Sequence, residues 1–251
     1  MTATWSTPSQ DLKLKPNEVH VWRISLDVTD STVEYLLPIL CVAERQRAER
    51  FRFQKDRKQF VVTRSVLRII LGRYLEREPS TLSFCYNQYG KPELASTSDR
   101  SPTIRFNLSH SHGLALIAVA QNLDVGIDLE YIRPNVSWEA IAQSYFSPKE
   151  RDMLHQLPAA LKALAFFTVW TRKEAYIKAT GKGLSLPLDR FDVSVVPGEP
   201  AKLLSVQGDD REAERWLLME LTIGSGYAAT LAAGAGYWQI KLWQWSFPML
   251  P

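Results

Sequence analysis

The sequence predicts an α+β chain built as two similar halves packed as a pseudo-dimer within one polypeptide. Three observations carry that prediction. Short alternating strands recur in both halves, each half holds one long stretch of helical periodicity, and a charged helix start precedes a long helix twice in the same order. The halves divide at 1–123 and 124–251, beside the turn-forming residues 121–126.

Residues 18–27, EVHVWRISLD, alternate Val19, Val21, Ile24 and Leu26 with polar side chains and predict a half-buried strand. The pattern then turns helical. Residues 44–52 form a basic helix, and 56–74 a longer one with Phe60, Val61, Leu67, Ile70 and Leu71 at three- and four-residue steps. From Arg45 to Arg68 there are nine basic residues against two acidic ones, with Glu44 just before them. A solvated helix face, a nucleic-acid patch and an anion pocket all fit that run. Residues 87–92, NQYGKP, form a turn that presents Lys91, and the polar loop 96–101 is expected to be mobile. Strands follow at 104–108, 114–120 and 125–131, the last two joined as a hairpin through a tight turn at 121–124. In the second half SPKERDML, from Ser147, starts the helices, and strands are expected at 191–196, 216–223, 227–233 and 238–245. Trp5, Trp238, Trp243 and Trp245 are assigned to packing rather than to a nucleobase platform.

With 251 residues, 45% of them hydrophobic and 23% charged, the chain can bury a large core. No stretch reaches the ~20 apolar residues of a membrane helix, and the N-terminal residues lack the basic and apolar blocks of a secretory signal. Cys41 and Cys85 match neither a disulfide framework nor a metal spacing; both are assigned to packing in a reducing cytoplasm. The net charge of +3 suits an anionic ligand or an acidic protein partner and does not demand nucleic acid.

Residues 170–187, WTRKEAYIKATGKGLSLP, carry the densest chemistry. On a helix Glu174 shares a stripe with Trp170 and Ile177, Lys178 lies one turn on, and Gly181 is placed to end the helix in the left-handed conformation. A surface salt bridge between Glu174 and Lys178 is the plain alternative. In DVGIDLEY, 124–131, alternation puts Asp124, Gly126, Asp128 and Glu130 on one strand face. Asp128 and Glu130 stand roughly 7 Å apart at Cα, within reach of one hard cation, with Gly126 leaving room beside them. An exposed acidic edge is the alternative; Glu174 as a third oxygen ligand turns the pair into a Mg²⁺ site, and Lys178 adds an ammonium for a pyrophosphate. In FNLSHSHG, 106–113, His110 and His112 could be zinc ligands, a base or phosphate binders. Zinc lacks a third protein ligand, and no nucleophile elbow surrounds a serine, so Ser109 and His110 are read as phosphate donors and His112 as structural.

Taken in order, Y-G-K-P at 89–92, F-N-L-S-H-S at 106–111, G-I-D-L-E at 126–130, W-T-R-K-E-A-Y-I-K at 170–178 and G-K-G-L-S-L-P at 181–187 resemble the 4′-phosphopantetheinyl transferases, specifically the large pseudo-dimeric class of the surfactin synthetase activating type. The resemblance implies transfer of the phosphopantetheine arm of coenzyme A to a serine of an apo acyl or peptidyl carrier protein. It implies Mg²⁺ on Asp128, Glu130 and Glu174, with Glu174 also the base and Lys178 beside the leaving phosphate. Ser109 and His110 would hold coenzyme A phosphates, Arg47 its 3′-phosphate, and Lys91 would lie by the adenine and ribose. Lys173 goes to the pocket edge. Glu44 departs from the pattern, standing where some bacterial members carry lysine, so Arg45 or Arg50 are candidates to replace that charge. A two-half chain is expected to complete its site as a monomer, without nucleic acid or membrane. A Mg²⁺-dependent nuclease and a basic nucleic-acid-binding module are the competing readings.

Overall fold

The computed structural model describes residues 4–9, 12–95, 103–133 and 137–247. After β1 (Glu18–Ser25) come α1 (Asp30–Leu36), α2 (Val42–Glu49) and α3 (Gln54–Leu75). The short strands β2 (Phe84–Tyr86) and β3 (Pro92–Leu94) pair with each other, followed by β4 (Ile104–Ser111), β5 (Leu114–Gln121) and β6 (Val125–Tyr131). The remainder holds α4 (Trp138–Tyr145), α5 (Pro148–Gln156), α6 (Ala159–Thr180), β7 (Phe191–Val193), β8 (Leu203–Val206), α7 (Asp210–Glu214), β9 (Trp216–Glu220), β10 (Tyr227–Gly234) and β11 (Gln239–Gln244). No described helix is long and apolar enough to cross a membrane.

The α+β class stands, and each half is led by a 22-residue helix laid on antiparallel strands. Besides the two-stranded pairs β2–β3 and β7–β8, a four-stranded sheet runs β11-β1-β5-β4 and a three-stranded one β6-β10-β9. Strand alternation sends half of each sheet's side chains inward, where Val19, Val21, Leu116 and Ala118 meet Ile127, Leu129, Leu231 and Ala233 between the sheets. The outer faces take the helices. Val61, Val62, Val66 and Ile70 of α3 cover Trp22, Ile117 and Val119, whereas Ala175 and Ala179 of α6 belong to the cluster that covers Ala228 and Ala232. A fully buried valine or isoleucine contributes about 1.5–3 kcal/mol relative to exposure, which fixes α3, while the small alanines of the second seam let α6 approach its sheet closely.

The expected hairpin of 114–120 with 125–131 does not form. β5 is buried on both faces and already has β1 and β4 on its two edges, which leaves no vacant edge for β6. β5 instead makes its hairpin with β4, and β6 crosses to pair with β10. β11 also leaves the second half, running parallel to β1 in the first sheet. Cys41 caps α2 and is half-buried, but Cys85 is exposed, so the packing role assigned to it fails. The loop 96–101, expected to be mobile, lies outside the described residues.

Candidate active site

The site begins with a close approach. A Cβ on Gly126 would stand 2.1 Å from the Ala175 oxygen and 2.3 Å from the Ala179 nitrogen, so only glycine lets α6 settle on β6. The room expected there for a cation is filled by helix backbone. Asp128 and Glu130 are therefore covered rather than displayed on an open edge, and Asp128 is only 3% exposed. On its other side β6 faces β4, whose alternate residues reach across in step. Asn107 Oδ1 accepts from the Ile127 N–H at 2.9 Å, Ser109 Oγ donates to Asp128 Oδ1 at 2.9 Å, and Ser111 Oγ donates to Glu130 Oε2 at 3.1 Å. Alternation in N-x-S-x-S carried this signal, but Asn107 and Ser111 were not singled out as site residues.

Lys178 closes the cluster from α6. Its ammonium donates to Asp128 Oδ1 at 2.6 Å and to Ser109 Oγ at 3.2 Å, so it crosses to the strand and no ion pair with Glu174 forms. Asp128 Oδ2 is left buried with no hydrogen-bond partner among the described residues. Burial first, and then the Asp128 charge, raise the carboxyl pKa values of both Glu130 and Glu174 above the ordinary range. Three crowded acids with one oxygen unsatisfied make a site that a cation would complete. Among the described residues, however, no three His, Cys, Asp or Glu side chains are gathered as a ready metal cluster. Ser111 restrains Glu130, and Lys178 already occupies the other Asp128 oxygen.

A cleft of about 800 Å³ runs from this cluster to the basic helices. Glu174, Ile177 and Lys178 of α6 line it with Gly181 and Gly183 just beyond, together with His110 of β4, the 89–92 turn, Arg47 of α2 and Phe60, Thr63 and Arg64 of α3. Gly181 ends α6 with φ +66°, its carbonyl accepting from Asn87 Nδ2 at 2.8 Å, which ties the turn to the helix end. Lys91 joins the same tie: its ammonium donates to the Val125 and Ala179 carbonyls at 3.1 and 3.0 Å, and burial depresses its pKa to about 8. The polar end of Lys91 is thus engaged with backbone while its stem passes Gly181, leaving the stem as the part nearest a ligand. Desolvation, then Lys178, holds the His110 imidazole below its usual pKa, so it is neutral at pH 7. His112 takes positive φ in the β4–β5 turn and stacks on Tyr131 at 4.0 Å, the structural role expected of it.

The fold thus brings Arg47, Lys91, His110, Glu174 and Lys178 to one cleft, with Ser109, Asp128 and Glu130 joined to it through Lys178 and β4. Lys173 is not at the pocket edge. It points the other way from α6, fully buried, because Glu150 Oε2 at 2.8 Å and the Leu188 and Phe191 carbonyls at 2.7 and 2.6 Å take its ammonium. Arg45 and Arg50 are exposed and do not line the cleft. Sequence reading missed Thr63 and Arg64, which sit inside a helix period that marks only its apolar members.

The 4′-phosphopantetheinyl transferase superfamily matches residues 124–232, and the 4′-phosphopantetheinyl transferase N-terminal family matches 27–122. The 4′-phosphopantetheinyl transferase HetI of Nostoc sp. is 41% identical over 96% of this chain and 98% of its own length. The 4′-phosphopantetheinyl transferase Sfp of Bacillus subtilis is 32% identical over 64% of this chain and 68% of its own.

Proposed function

The chain belongs to the 4′-phosphopantetheinyl transferase superfamily, and from that premise we propose that it moves the 4′-phosphopantetheine arm of coenzyme A onto a serine of an apo acyl or peptidyl carrier protein. The observation that carries the reading is one cleft lined by a carboxylate and a lysine from α6 and by arginines from α2 and α3, which matches a ligand with a reacting pyrophosphate and a second phosphate. We assign the adenine nucleotide mainly to the first half, 1–123, and the acids to the second, 124–251.

Glu174 accepts the proton of the carrier serine as its oxygen attacks the phosphorus that bears the pantetheine. Its raised pKa suits a base working near neutral pH. The bond from that phosphorus to the bridging oxygen breaks, and the electron pair leaves with adenosine 3′,5′-bisphosphate. Lys178, held by Asp128 and Ser109, sits where that charge develops, and fixed cations help most there. His110 faces the coenzyme A phosphates, Ser109 serves them from behind by holding Lys178, Arg47 takes the 3′-phosphate, and the Lys91 stem lies by the adenine and ribose. Asp128, through its unpartnered Oδ2, with Glu130 and Glu174, would hold Mg²⁺, which when bound supplies charge neutralisation to the pyrophosphate. We place the enzyme in the cytoplasm as a monomer that needs neither membrane nor nucleic acid.

Intact-mass analysis of an apo carrier protein, incubated with this protein, coenzyme A and Mg²⁺, tests the proposal. The expected result is a gain of one phosphopantetheine arm that a chelator abolishes. Unchanged mass across several apo carriers would overturn it.

A further inference from the structure

Glu44 breaks the charge pattern of the basic helix, and its surroundings say what it does instead. It is buried between two arginines of α3: Arg64 Nε donates to Oε1 and Arg68 Nε to Oε2, the latter at 2.7 Å. Burial alone would raise its carboxyl pKa, but the hydrogen bonds from Arg68 and Arg64 outweigh it and hold the carboxylate ionised. The two arginines have different fates. Arg68 is itself buried and donates from Nη1 to the Pro79 and Leu82 carbonyls at 2.9 Å, so it pins the segment after α3. Arg64 lines the cleft. Its guanidinium carbon sits 4.1 Å from the centre of the Phe84 ring, and among the described residues its one hydrogen bond is from Nε to Glu44, with none from the two terminal nitrogens. One carboxylate and one ring therefore hold a guanidinium whose free edge has no partner of its own.

The neighbouring residue adds a second, independent observation. Thr63 is 5% exposed, lines the same cleft, and its hydroxyl has no hydrogen-bond partner among the described residues. A buried hydroxyl without a partner is costly unless a ligand supplies one. Arg47, across on α2, completes the wall. A phosphate monoester offers only acceptors to its surroundings, so a hydroxyl donor and two guanidinium edges suit it. With the pyrophosphate at Lys178, the monoester of coenzyme A, carried on the ribose, lies toward this wall.

We propose that Thr63 and Arg64 bind the 3′-phosphate of coenzyme A together with Arg47, and that Glu44 is the residue that positions Arg64; this rests on the transferase reading. Glu44 then does not weaken the phosphate site. It exchanges a direct cation on α2 for an oriented one on α3.

The test is calorimetric binding of coenzyme A and of 3′-dephospho-coenzyme A to the full-length protein. Wild type should prefer coenzyme A. Arg64→Gln should weaken coenzyme A about tenfold or more, the scale of a charge-assisted contact, and leave the dephospho compound unchanged. Thr63→Val should do the same to a smaller degree, with Thr63→Ser close to wild type. Glu44→Gln should lower the preference ratio in the same sense, which a purely structural loss, falling equally on both ligands, would not do. If Glu44→Gln fails to fold in a thermal melt, Arg64→Gln and Thr63→Val still decide the matter, since both keep the Glu44–Arg68 pair. Equal weakening of both ligands by Arg64→Gln, or none, would overturn the inference. A wild type that binds both ligands alike would overturn it while sparing the transferase reading; one that binds neither would overturn both.

Discussion

Lys173 and Lys178 lie five residues apart on α6, and the contrast between their surroundings separates what holds this molecule together from what works in it. Lys173 has three acceptors, one carboxylate and two carbonyls, and lies 4.3 Å from the Phe191 ring centre. Its partner Glu150 is as fully occupied, accepting from the Ser147 and Val193 N–H groups as well. Every hydrogen-bonding position is closed. Lys178 also reaches a buried carboxylate, but Asp128 keeps one oxygen without a partner, and Glu174 beside it makes no hydrogen bond among the described residues. Burial with every position closed fastens α5 and the 188–191 segment to the helix. Burial with positions left open stores an unmet demand that a ligand satisfies.

Glu174→Gln is the sharpest way to break the comparison. Transfer measured by carrier mass should fall about 10²–10⁴-fold, the range of a lost general base. The ligand-free variant should nevertheless melt higher at neutral pH. Because burial and Asp128 raise the pKa of Glu174, the folded state holds a proton that the unfolded state, titrating near about 4.3, has released. Stability therefore falls as pH rises from the unfolded pKa through the folded one, and a neutral glutamine escapes that fall. Below about pH 4, where both states are protonated, the gain should vanish. A variant that melts lower at pH 7, or turns over normally, would show that the open face of the helix is ordinary core.

Lys173→Met should do the reverse. Removing one member of a buried pair leaves Glu150 uncompensated and should cost about 3–5 kcal/mol in urea unfolding, with turnover per folded molecule unchanged. Pairing it with Glu150→Met should recover much of that loss. Gly126→Ala falls between the two. Its Cβ would drive α6 off β6, costing about 1–3 kcal/mol, and because Glu174 and Lys178 ride on that helix, activity should fall as well. Loss of stability alone would mean that the helix shifts without moving its two reactive side chains.

The same contrast explains how much was legible in the sequence. Alternation and helical period exposed β1, α3, β4, β6 and α6, and alternation put Asp128 and Glu130 on one strand face, with Glu174 expected as their third from the helix. Strand pairing was not legible, because β5 reads identically whether β6 or β4 lies beside it; only the filling of both its edges decides. Lys173 and Lys178 also look alike in one dimension, and no periodicity tells which of two lysines meets a glutamate 23 residues earlier in the chain. Gly126 reads in sequence as space beside the acids, but the helix itself takes that space. Thr63 and Glu44 needed three dimensions entirely: one is defined by a partner it lacks, the other by two arginines a helix away.

The smallest expected effect belongs to Ser111, on the seam between the two halves. Its hydroxyl donates to Glu130 Oε2 and accepts from the Tyr131 N–H, both at 3.1 Å, so it restrains the acid without facing the cleft. Ser111→Ala should cost only about 0.5–1.5 kcal/mol, the net worth of a hydrogen bond. Freed of that tether, Glu130 should be slower to meet a cation, and the Mg²⁺ giving half-maximal transfer should rise about tenfold, as for other side chains that orient a metal ligand. At saturating Mg²⁺ transfer should return close to wild type, because neither Glu174 nor Lys178 has moved. If instead the maximal rate falls and the Mg²⁺ requirement does not, then Ser111 serves the seam rather than the acid, and Glu130 stands outside the cation site.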